Sequence, residues 1–454
     1  MTIATVNPTT GETEKVFEPD SDEQVEAKLD LAERAFAAYR TTSFEERARL
    51  AIGAADLLEG ELPDIARVLT TEMGKTFASA KGEVAKCASA LRWFAAHAEA
   101  LLAEEPVGTT ASASSVRYEP MGPVLAVMPW NFPMWQVMRF AAPGLMAGNV
   151  GLLKHSSNVP QTALLIEDVF RRAGYPAGAF QTLLVPSQRV AGLIEDDRVR
   201  AVTLTGSEGA GRSVAEVAGR AIKKSVLELG GSDPFIVLPS ADLDRAVAVG
   251  VQARVQNNGQ SCIAAKRFIV HRAIYDEFEA SFSEAMGGLV VGDPMEPGTD
   301  VGPLATAQGR DDVHEQVEDA RAQGAAVLCG GRPGEGAGFF YLPTVLARIT
   351  PSMRVDTEEV FAPVALLYEA EDPADALRMA NDSTFGLGAS VWTGDADERA
   401  MFVDGLEAGM VFVNAMVAST VELPFGGMKR SGYGRELSTL GIKEFCEAKT
   451  VWVA

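Results

Sequence analysis

A cysteine set among small polar residues is the first place to look for chemistry in this chain. The stretch V-Q-N-N-G-Q-S-C-I-A, residues 255–264, carries Cys262 near its end, one of four cysteines in 454 residues. Thiolate is the attacking form of cysteine, and a free thiol with a pKa near ~8.5 ionises only with help. A candidate helper lies 34 residues upstream: Glu228, in the apolar, glycine-ended segment L-E-L-G-G at 227–231. A carboxylate in such a segment is partly desolvated and its pKa raised, as a general base requires. Nucleophile and base together are the minimum for covalent catalysis. Taken singly, each residue is equally compatible with a structural role, a buried inert thiol and a strand-end glutamate.

The elements that must position such a pair follow from apolar periodicity. From Gly122 onward, apolar runs at 124–128, 150–153, 181–185, 201–204 and 225–229 alternate with helical stretches at about 134–147, 161–173, 188–195 and 208–221. That alternation means βαβ units and a parallel sheet. A second α/β series opens at F-I-V-L, residues 235–238, and continues with a helix from Ala241, a strand at 267–271 and a helix near 274–287. A domain boundary near Gly230-Gly231 falls between base and nucleophile, which places a catalytic cleft there.

Before Gly122 the chain reads as helices. Ser21 with Gln24, and Ser43 with Glu46, have capping-box spacing, and two more helical segments follow at 62–72 and 77–102. Gly74-Lys75-Thr76 resembles half of a phosphate-binding loop, but Leu69 stands where the first glycine is required, so it reads as a helix interruption. The glycine-rich run at 330–338 fits no dinucleotide fingerprint and reads as a surface loop. Residues 111–119 alternate without bulky core residues, which predicts an exposed strand whose edge needs covering. The closing K-T-V-W-V-A reads as a strand in search of a partner.

Composition narrows the classes. A chain of 454 residues exceeds one typical core, so two or three domains are expected. Hydrophobic content of 47% and charged content of 22% are those of a soluble globular protein. A net charge of −22 repels phosphate backbones and argues against nucleic acid. The start M-T-I-A-T-V-N-P has neither the basic region nor the apolar run of a secretory signal, and no apolar stretch approaches the ~20 residues of a membrane span. The cysteines at 87, 262, 329 and 446 show no C-x-x-C spacing, which suits a reducing cytoplasm. With four scattered histidines, no metal site is expected.

The segments around Glu228 and Cys262, in this order and at this distance, resemble the aldehyde dehydrogenase superfamily. So, in the family's order, do P-W-N-F-P at 129–133, G-L-L-K at 151–154, T-G-S at 205–207, E-E-V-F-A-P at 358–363 and P-F-G-G-M-K-R-S-G-Y-G-R-E at 424–436. The resemblance implies an α/β fold with a Rossmann-type cofactor domain at 1–108 and 121–230 and an α/β catalytic domain at 231–432. It adds a small β oligomerisation arm at 109–120 and 433–454, serving a homodimer or homotetramer. It also implies a mechanism. Cys262 attacks an aldehyde to give a thiohemiacetal, whose oxyanion is held by the Cys262 backbone N–H and the Asn131 side-chain amide. Hydride then leaves to a nicotinamide, and water activated by Glu228 hydrolyses the thioester. For Asn131 alone, a plain turn residue is the competing reading.

The cofactor positions come by matching motifs. Lys154 matches the lysine that holds the adenosine ribose, against the alternative of a solvated strand end. Thr205, Gly206 and Ser207 precede a helix whose N-terminus suits a pyrophosphate. Glu359 matches the glutamate on the nicotinamide ribose, with Phe361 beside it or simply packed in the core, and Trp130 lines the nicotinamide pocket. Three residues after Lys154, NAD-preferring relatives often carry a glutamate that repels a 2′-phosphate. Ser157 removes that repulsion, so NADP is the expected cofactor, with NAD possible. His155 adds either a donor or packing.

For the substrate, Arg139 follows Asn131 by eight residues, about two helical turns, and stands in an apolar run where a guanidinium would bind a carboxylate. The competing reading gives Arg139 an acidic neighbour instead. The chain resembles the short-form bacterial succinate-semialdehyde branch of the family, which carries arginine at this position. Such relatives often have a second arginine six residues before the cysteine; here it is Gln256, so Ser419 and Thr420 are expected to supply the missing hydrogen bonds, with Trp135 as a wall. Glutarate semialdehyde or a medium aliphatic aldehyde are the alternative substrates. Ala264 stands where some relatives place a second cysteine, so no local disulfide switch is expected. Glu228 disfavours the coenzyme A-acylating relatives, which often lack it. A thiol hydrolase would need a histidine paired with Cys262, and a non-catalytic scaffold would not need the matched Cys262, Glu228 and Asn131.

Overall fold

The computed structural model describes residues 2–454 and is built on two sheets joined through Gly230 and Gly231. The first has six strands in the order Gly432–Tyr433, Lys224–Glu228, Ala201–Thr205, Pro123–Met128, Val150–His155, Phe180–Thr182. All neighbours are parallel except Gly432–Tyr433, which adds antiparallel to Lys224–Glu228. The strands are near-continuous apolar runs because helices cover both faces. The chain winds to one side of Pro123–Met128 first and then crosses to Ala201–Thr205 on the other. The carboxyl ends of these two neighbouring strands therefore form a topological switch point, where open α/β sheets bind ligands.

The second sheet has seven strands in the order Ala326–Cys329, Thr344–Ala347, Val364–Ala370, Ala265–His271, Asp233–Val237, Gly388–Trp392, Met410–Val413. It is parallel apart from its outermost strand, Ala326–Cys329. The α/β fold expected from the periodicity is the fold observed. The run at 330–338 lies between two strands and joins neither.

The N-terminal helices fall where the caps put them. Asp22–Tyr39 begins with a complete capping box from Ser21 and Gln24. Phe44–Gly60 has the hydroxyl half only, Ser43 Oγ accepting the Glu46 N–H. Leu62–Met73 ends on Gly74 with φ 82°, and Thr76 caps Phe77–Leu101, so the Gly74-Lys75-Thr76 stretch is a helix interruption. A hairpin of Ile3–Val6 and Thr13–Phe17 was not anticipated; its second strand is largely exposed and polar, which leaves no periodic signal.

The exposed strand expected at 111–119 is Ala113–Pro120, and the terminal strand Cys446–Val453 pairs with it antiparallel from Cys446↔Pro120 to Val453↔Ala113. With Glu105–Pro106 they form a three-stranded sheet. Among the described residues, no helix is long and apolar enough to cross a membrane.

Candidate active site

Cys262 lies in the loop between helix Leu243–Val255 and strand Ala265–His271. Three successive residues there are left-handed: Asn257 (φ 55°), Asn258 (φ 57°) and Gly259 (φ 75°). Asparagine tolerates this region better than other side-chain-bearing residues, and a Cβ on Gly259 would run into the backbone of Ala362 and Pro363. The amides hold the turn. Asn257 Nδ2 donates to the carbonyls of Asn131 (2.7 Å) and Gln260 (2.9 Å), and Asn258 Nδ2 to those of Gly74 (2.7 Å) and Pro303 (3.0 Å). Lys266, fully buried, donates to the carbonyls of Ser261 (3.0 Å) and Cys262 (2.9 Å) and sits 3.3 Å from a Glu359 oxygen. The backbone around the nucleophile is thus fixed by buried hydrogen bonds. Burial pushes the Cys262 thiol up to about 12, against the pull of Arg139 and Lys266. The resting residue is a thiol.

Two cavities meet at Cys262. The larger, of 590 Å³, is walled by Trp135, Gln136 and Arg139 of helix Trp135–Ala147, by Glu83 and Lys86 of helix Phe77–Leu101, and by Ser419. The smaller, of 280 Å³, opens at the switch point of the first sheet. Trp130 and Asn131 follow one of its two strands, Thr205 ends the other with Gly206 and Ser207 after it, and Glu359 and Phe361 close it from the segment before strand Val364–Ala370. The Trp130 and Phe361 rings meet edge to face at 5.7 Å.

Asn131 is buried in the wall of the smaller cavity, and its Nδ2 donates to the Gln260 carbonyl at 3.2 Å, which leaves a second N–H unused. Among the described residues the Cys262 N–H meets no acceptor. Asn131 and Cys262 line the same cavity, and two unengaged N–H donors there suit a tetrahedral oxyanion.

This arrangement can be set beside known proteins. The chain matches the Aldehyde dehydrogenase family over residues 1–451. The chain belongs to the aldehyde dehydrogenase family. It is 59% identical over 457 residues to the succinate-semialdehyde dehydrogenase (NADP(+)) of Mycobacterium avium (strain 104), covering 100% of this chain and 97% of that protein. It is also 59% identical to succinate-semialdehyde dehydrogenase (NADP(+)) 1 of Mycobacterium tuberculosis (strain ATCC 25618 / H37Rv), covering 100% of both. Among solved structures, the succinic semialdehyde dehydrogenase from Streptococcus pyogenes in complex with NADP+ has a TM-score of 0.97 at 36% identity, over 99% of each chain. The succinate-semialdehyde dehydrogenase from Burkholderia pseudomallei has a TM-score of 0.97 at 34% identity, over 100% of this chain and 95% of that one.

Not every expected residue of this aldehyde dehydrogenase reaches a cavity. Lys154 and Ser157 line neither. Lys154, next to last in strand Val150–His155, is almost buried, and burial lowers its pKa. Ser157 uses its carbonyl to accept the Ala4 N–H at 3.0 Å. His155 is structural: burial pushes it down to about 4, so the ring is neutral. Its Nε2 donates to the Pro133 carbonyl at 2.7 Å, and its Nδ1 accepts the Ser156 N–H at 2.9 Å. That fixes the Pro129–Pro133 loop carrying Asn131.

Glu228 ends strand Lys224–Glu228 but also lines neither cavity. It is buried, neither carboxylate oxygen has a hydrogen-bond partner, and a Cβ on Gly426 would lie 2.6 Å from Oε1. Burial, then repulsion from Glu436, raises its pKa well above the usual range. Glu436 is raised by burial too, but Arg139 Nε stands 2.6 Å from its Oε2. Both carboxyls of this pair are thus held above the usual carboxylate range, and at Glu436 the Arg139 cation opposes the rise.

Arg139 lines the large cavity, yet it has found the acidic neighbour that the competing reading gave it. It pairs with Glu436, stacks over the Phe425 ring at 4.2 Å and donates to Thr205 Oγ1 at 3.3 Å. Ser419 is buried in the cavity wall, and its Oγ accepts from Trp135 Nε1 at 3.0 Å. Thr420, expected beside it, is exposed and lines neither cavity, because the loop turns its neighbour inward and Thr420 outward. Gln256 does line the large cavity.

Sequence reasoning missed three residues. Lys266 had a faint signal, a lysine opening an apolar strand. Glu83 had none: its Oε1 accepts the N–H groups of Met134 and Trp135 at 2.9 Å each, capping the helix that carries Arg139, while Lys75 binds its other oxygen. Lys86 is the third. None of the four histidines lines either cavity, so no imidazole stands ready to pair with Cys262.

Proposed function

We propose that the protein oxidises succinate semialdehyde to succinate through a thioester on Cys262, with NADP as the preferred acceptor and NAD a poorer one. The observation that carries this reading is the meeting of two cavities at Cys262, one at a dinucleotide-type switch point and one walled by cations. The names and high identity of the mycobacterial relatives support the substrate and the cofactor.

The smaller cavity suits a dinucleotide. Trp130 and Phe361 offer apolar walls, Glu359 a ribose acceptor, and Ser207 caps helix Glu208–Arg220 next to the phosphate position. Lys154 is a desolvated cation without an ion-pair partner among the described residues, and Ser157 three residues on brings no negative charge, so a 2′-phosphate is tolerated there. Bound in this place, the nicotinamide supplies a hydride acceptor.

The chain's own residues do the rest. Cys262 gives its thiol proton to water in the cavity, Sγ bonds to the aldehyde carbon as the carbonyl π pair moves onto oxygen, and the Cys262 N–H and Asn131 Nδ2 hold the oxyanion. When the carbon has lost its hydride, a thioester remains on Sγ. Glu228, held by no hydrogen bond, rotates toward Cys262 and in its deprotonated form takes a proton from water; the oxygen of that water adds to the acyl carbon, the carbon–sulfur bond breaks to return the Cys262 thiolate, and the acid leaves. Coenzyme A-acylating chemistry is disfavoured by this base. The exposed β arm, with Trp452 and Val453 more than half exposed, supports assembly as a homodimer or homotetramer, and four free cysteines suit a reducing cytoplasm.

A panel of C2 to C6 semialdehydes and plain aldehydes, each with NADP and NAD and followed at 340 nm, tests the proposal. Succinate semialdehyde with NADP should give the highest kcat/KM, and Cys262→Ala should abolish the signal. A higher kcat/KM for butanal or glutarate semialdehyde overturns the substrate assignment, and a higher value with NAD overturns the cofactor assignment.

A further inference from the structure

The large cavity holds two cations, and they are not equivalent. Arg139 is already compensated by Glu436 at 2.6 Å inside the protein. Lys86 is half-buried in the same wall, and among the described residues no carboxylate lies within ion-pair reach of it. Its Nζ donates to Ser419 Oγ at 2.8 Å and lies over the Trp135 ring at 4.3 Å. Two further acids reach the cavity, and neither answers Lys86. Glu83 is taken by Lys75 and by two backbone N–H groups. Asp300 is exposed, and its Oδ2 accepts the Val290 N–H at 2.9 Å.

Ser419 sharpens the picture. A hydroxyl has two acceptor sites and one donor. Its oxygen accepts from both Lys86 Nζ and Trp135 Nε1, so both acceptor sites are filled. Its hydrogen then remains for a ligand, as do two of the three ammonium hydrogens of Lys86. Donors without acceptors at one wall of a cavity that also holds the nucleophile describe an anion site.

We infer that Lys86, with the Ser419 hydroxyl, is the anchor for the carboxylate of the substrate, and that Arg139 positions this wall rather than making the main ionic contact. The inference rests on the semialdehyde reading above and names the residue that reads the acid end. It also accounts for Gln256: a cation from helix Phe77–Leu101 does the work that a second arginine on the nucleophile side would do. Burial and the nearby Arg139 both push Lys86 down, to about 8, so an anion lodged between them would relieve their repulsion.

The experiment compares kcat/KM for succinate semialdehyde and for butanal, which share four carbons and differ in the carboxylate. Lys86→Met should lower the ratio of the two at least about ten-fold, through KM, since a charge-assisted hydrogen bond is lost. Lys86→Arg should restore part of it. Turnover of butanal by Lys86→Met shows that the fold and the cysteine are intact, and if that variant fails to fold, Lys86→Gln replaces it. A ratio unchanged in the neutral variant overturns the inference. A wild-type enzyme with no preference for the semialdehyde overturns the functional reading instead, so the two failures are distinguishable.

Discussion

The two cavities that meet at Cys262 are built in different ways. The smaller is made where strands end: Trp130 and Asn131 follow Pro123–Met128, and Thr205, with Gly206 and Ser207 after it, closes Ala201–Thr205. Each of these two stretches is contiguous in sequence and placed by the sheet, and Glu359 and Phe361 complete the cavity from the segment before Val364–Ala370. The larger is made where helices and loops face each other: Lys86 and Arg139 lie 53 positions apart, and Ser419 comes from far downstream. Its polar wall exists only after three segments have packed. A site for an invariant cofactor can rest on topology, whereas a site for one aldehyde is set by side chains that can change without disturbing a sheet.

Glu228 belongs to neither cavity, and it gives the severest test of this division. If it is the base, it must leave its buried place beside Glu436 to reach the acyl-enzyme. Glu228→Gln should then lower steady-state kcat about 10³-fold, the range of a lost general base, and leave a rapid burst of about one reduced cofactor per subunit. The sign of the pH dependence follows. Burial and Glu436 raise the Glu228 pKa, so the deprotonated, water-activating form grows as pH rises past the usual carboxylate range. Where hydrolysis limits turnover, wild-type kcat therefore climbs with pH, and the variant should lose that climb. Stopped-flow absorbance across a pH series reads both. A variant with full kcat would place the base elsewhere.

The next effect concerns the rim of the cofactor side. Ser157→Glu introduces a carboxylate three residues after Lys154, where a 2′-phosphate would meet it. Like charges brought together at an interface cost several kcal/mol, so the NADP to NAD ratio of kcat/KM should fall about 100-fold. Initial rates with both cofactors decide it. An unchanged ratio would mean that the phosphate lies away from this turn and that Lys154 does not hold it.

What was legible in the sequence follows the same division. The strand and helix alternation and the motifs carrying Asn131, Thr205–Ser207, Glu228 and Cys262 were readable because each is a local pattern, whereas the left-handed turn at Asn257–Gly259 was not read from the sequence. Packing was not. Lys86 lies on a long helix, where a lysine reads as a solvated face; nothing local says that it meets Ser419, 333 residues away. Arg139 was rightly singled out as a buried guanidinium, but its partner Glu436 sits in a motif that spacing could not connect to it. The direction of the Glu228 shift was readable from its apolar setting, while the second carboxylate that enlarges it was not.

Ser419 and Thr420 offer the finest test, because they are adjacent in sequence and opposite in environment. Ser419 is buried with its oxygen engaged by Lys86 and Trp135, and Thr420 is exposed. Ser419→Ala removes the hydroxyl donor and leaves two donors without their acceptor, which should raise KM for succinate semialdehyde about ten-fold. Thr420→Ala should change it by less than about two-fold, as surface substitutions do. Spacing alone treats the two as interchangeable hydroxyls near a pocket. Equal effects from both variants would mean that this loop turns over in solution and presents either residue, and the polar wall would then be a feature of the bound state rather than of the fold.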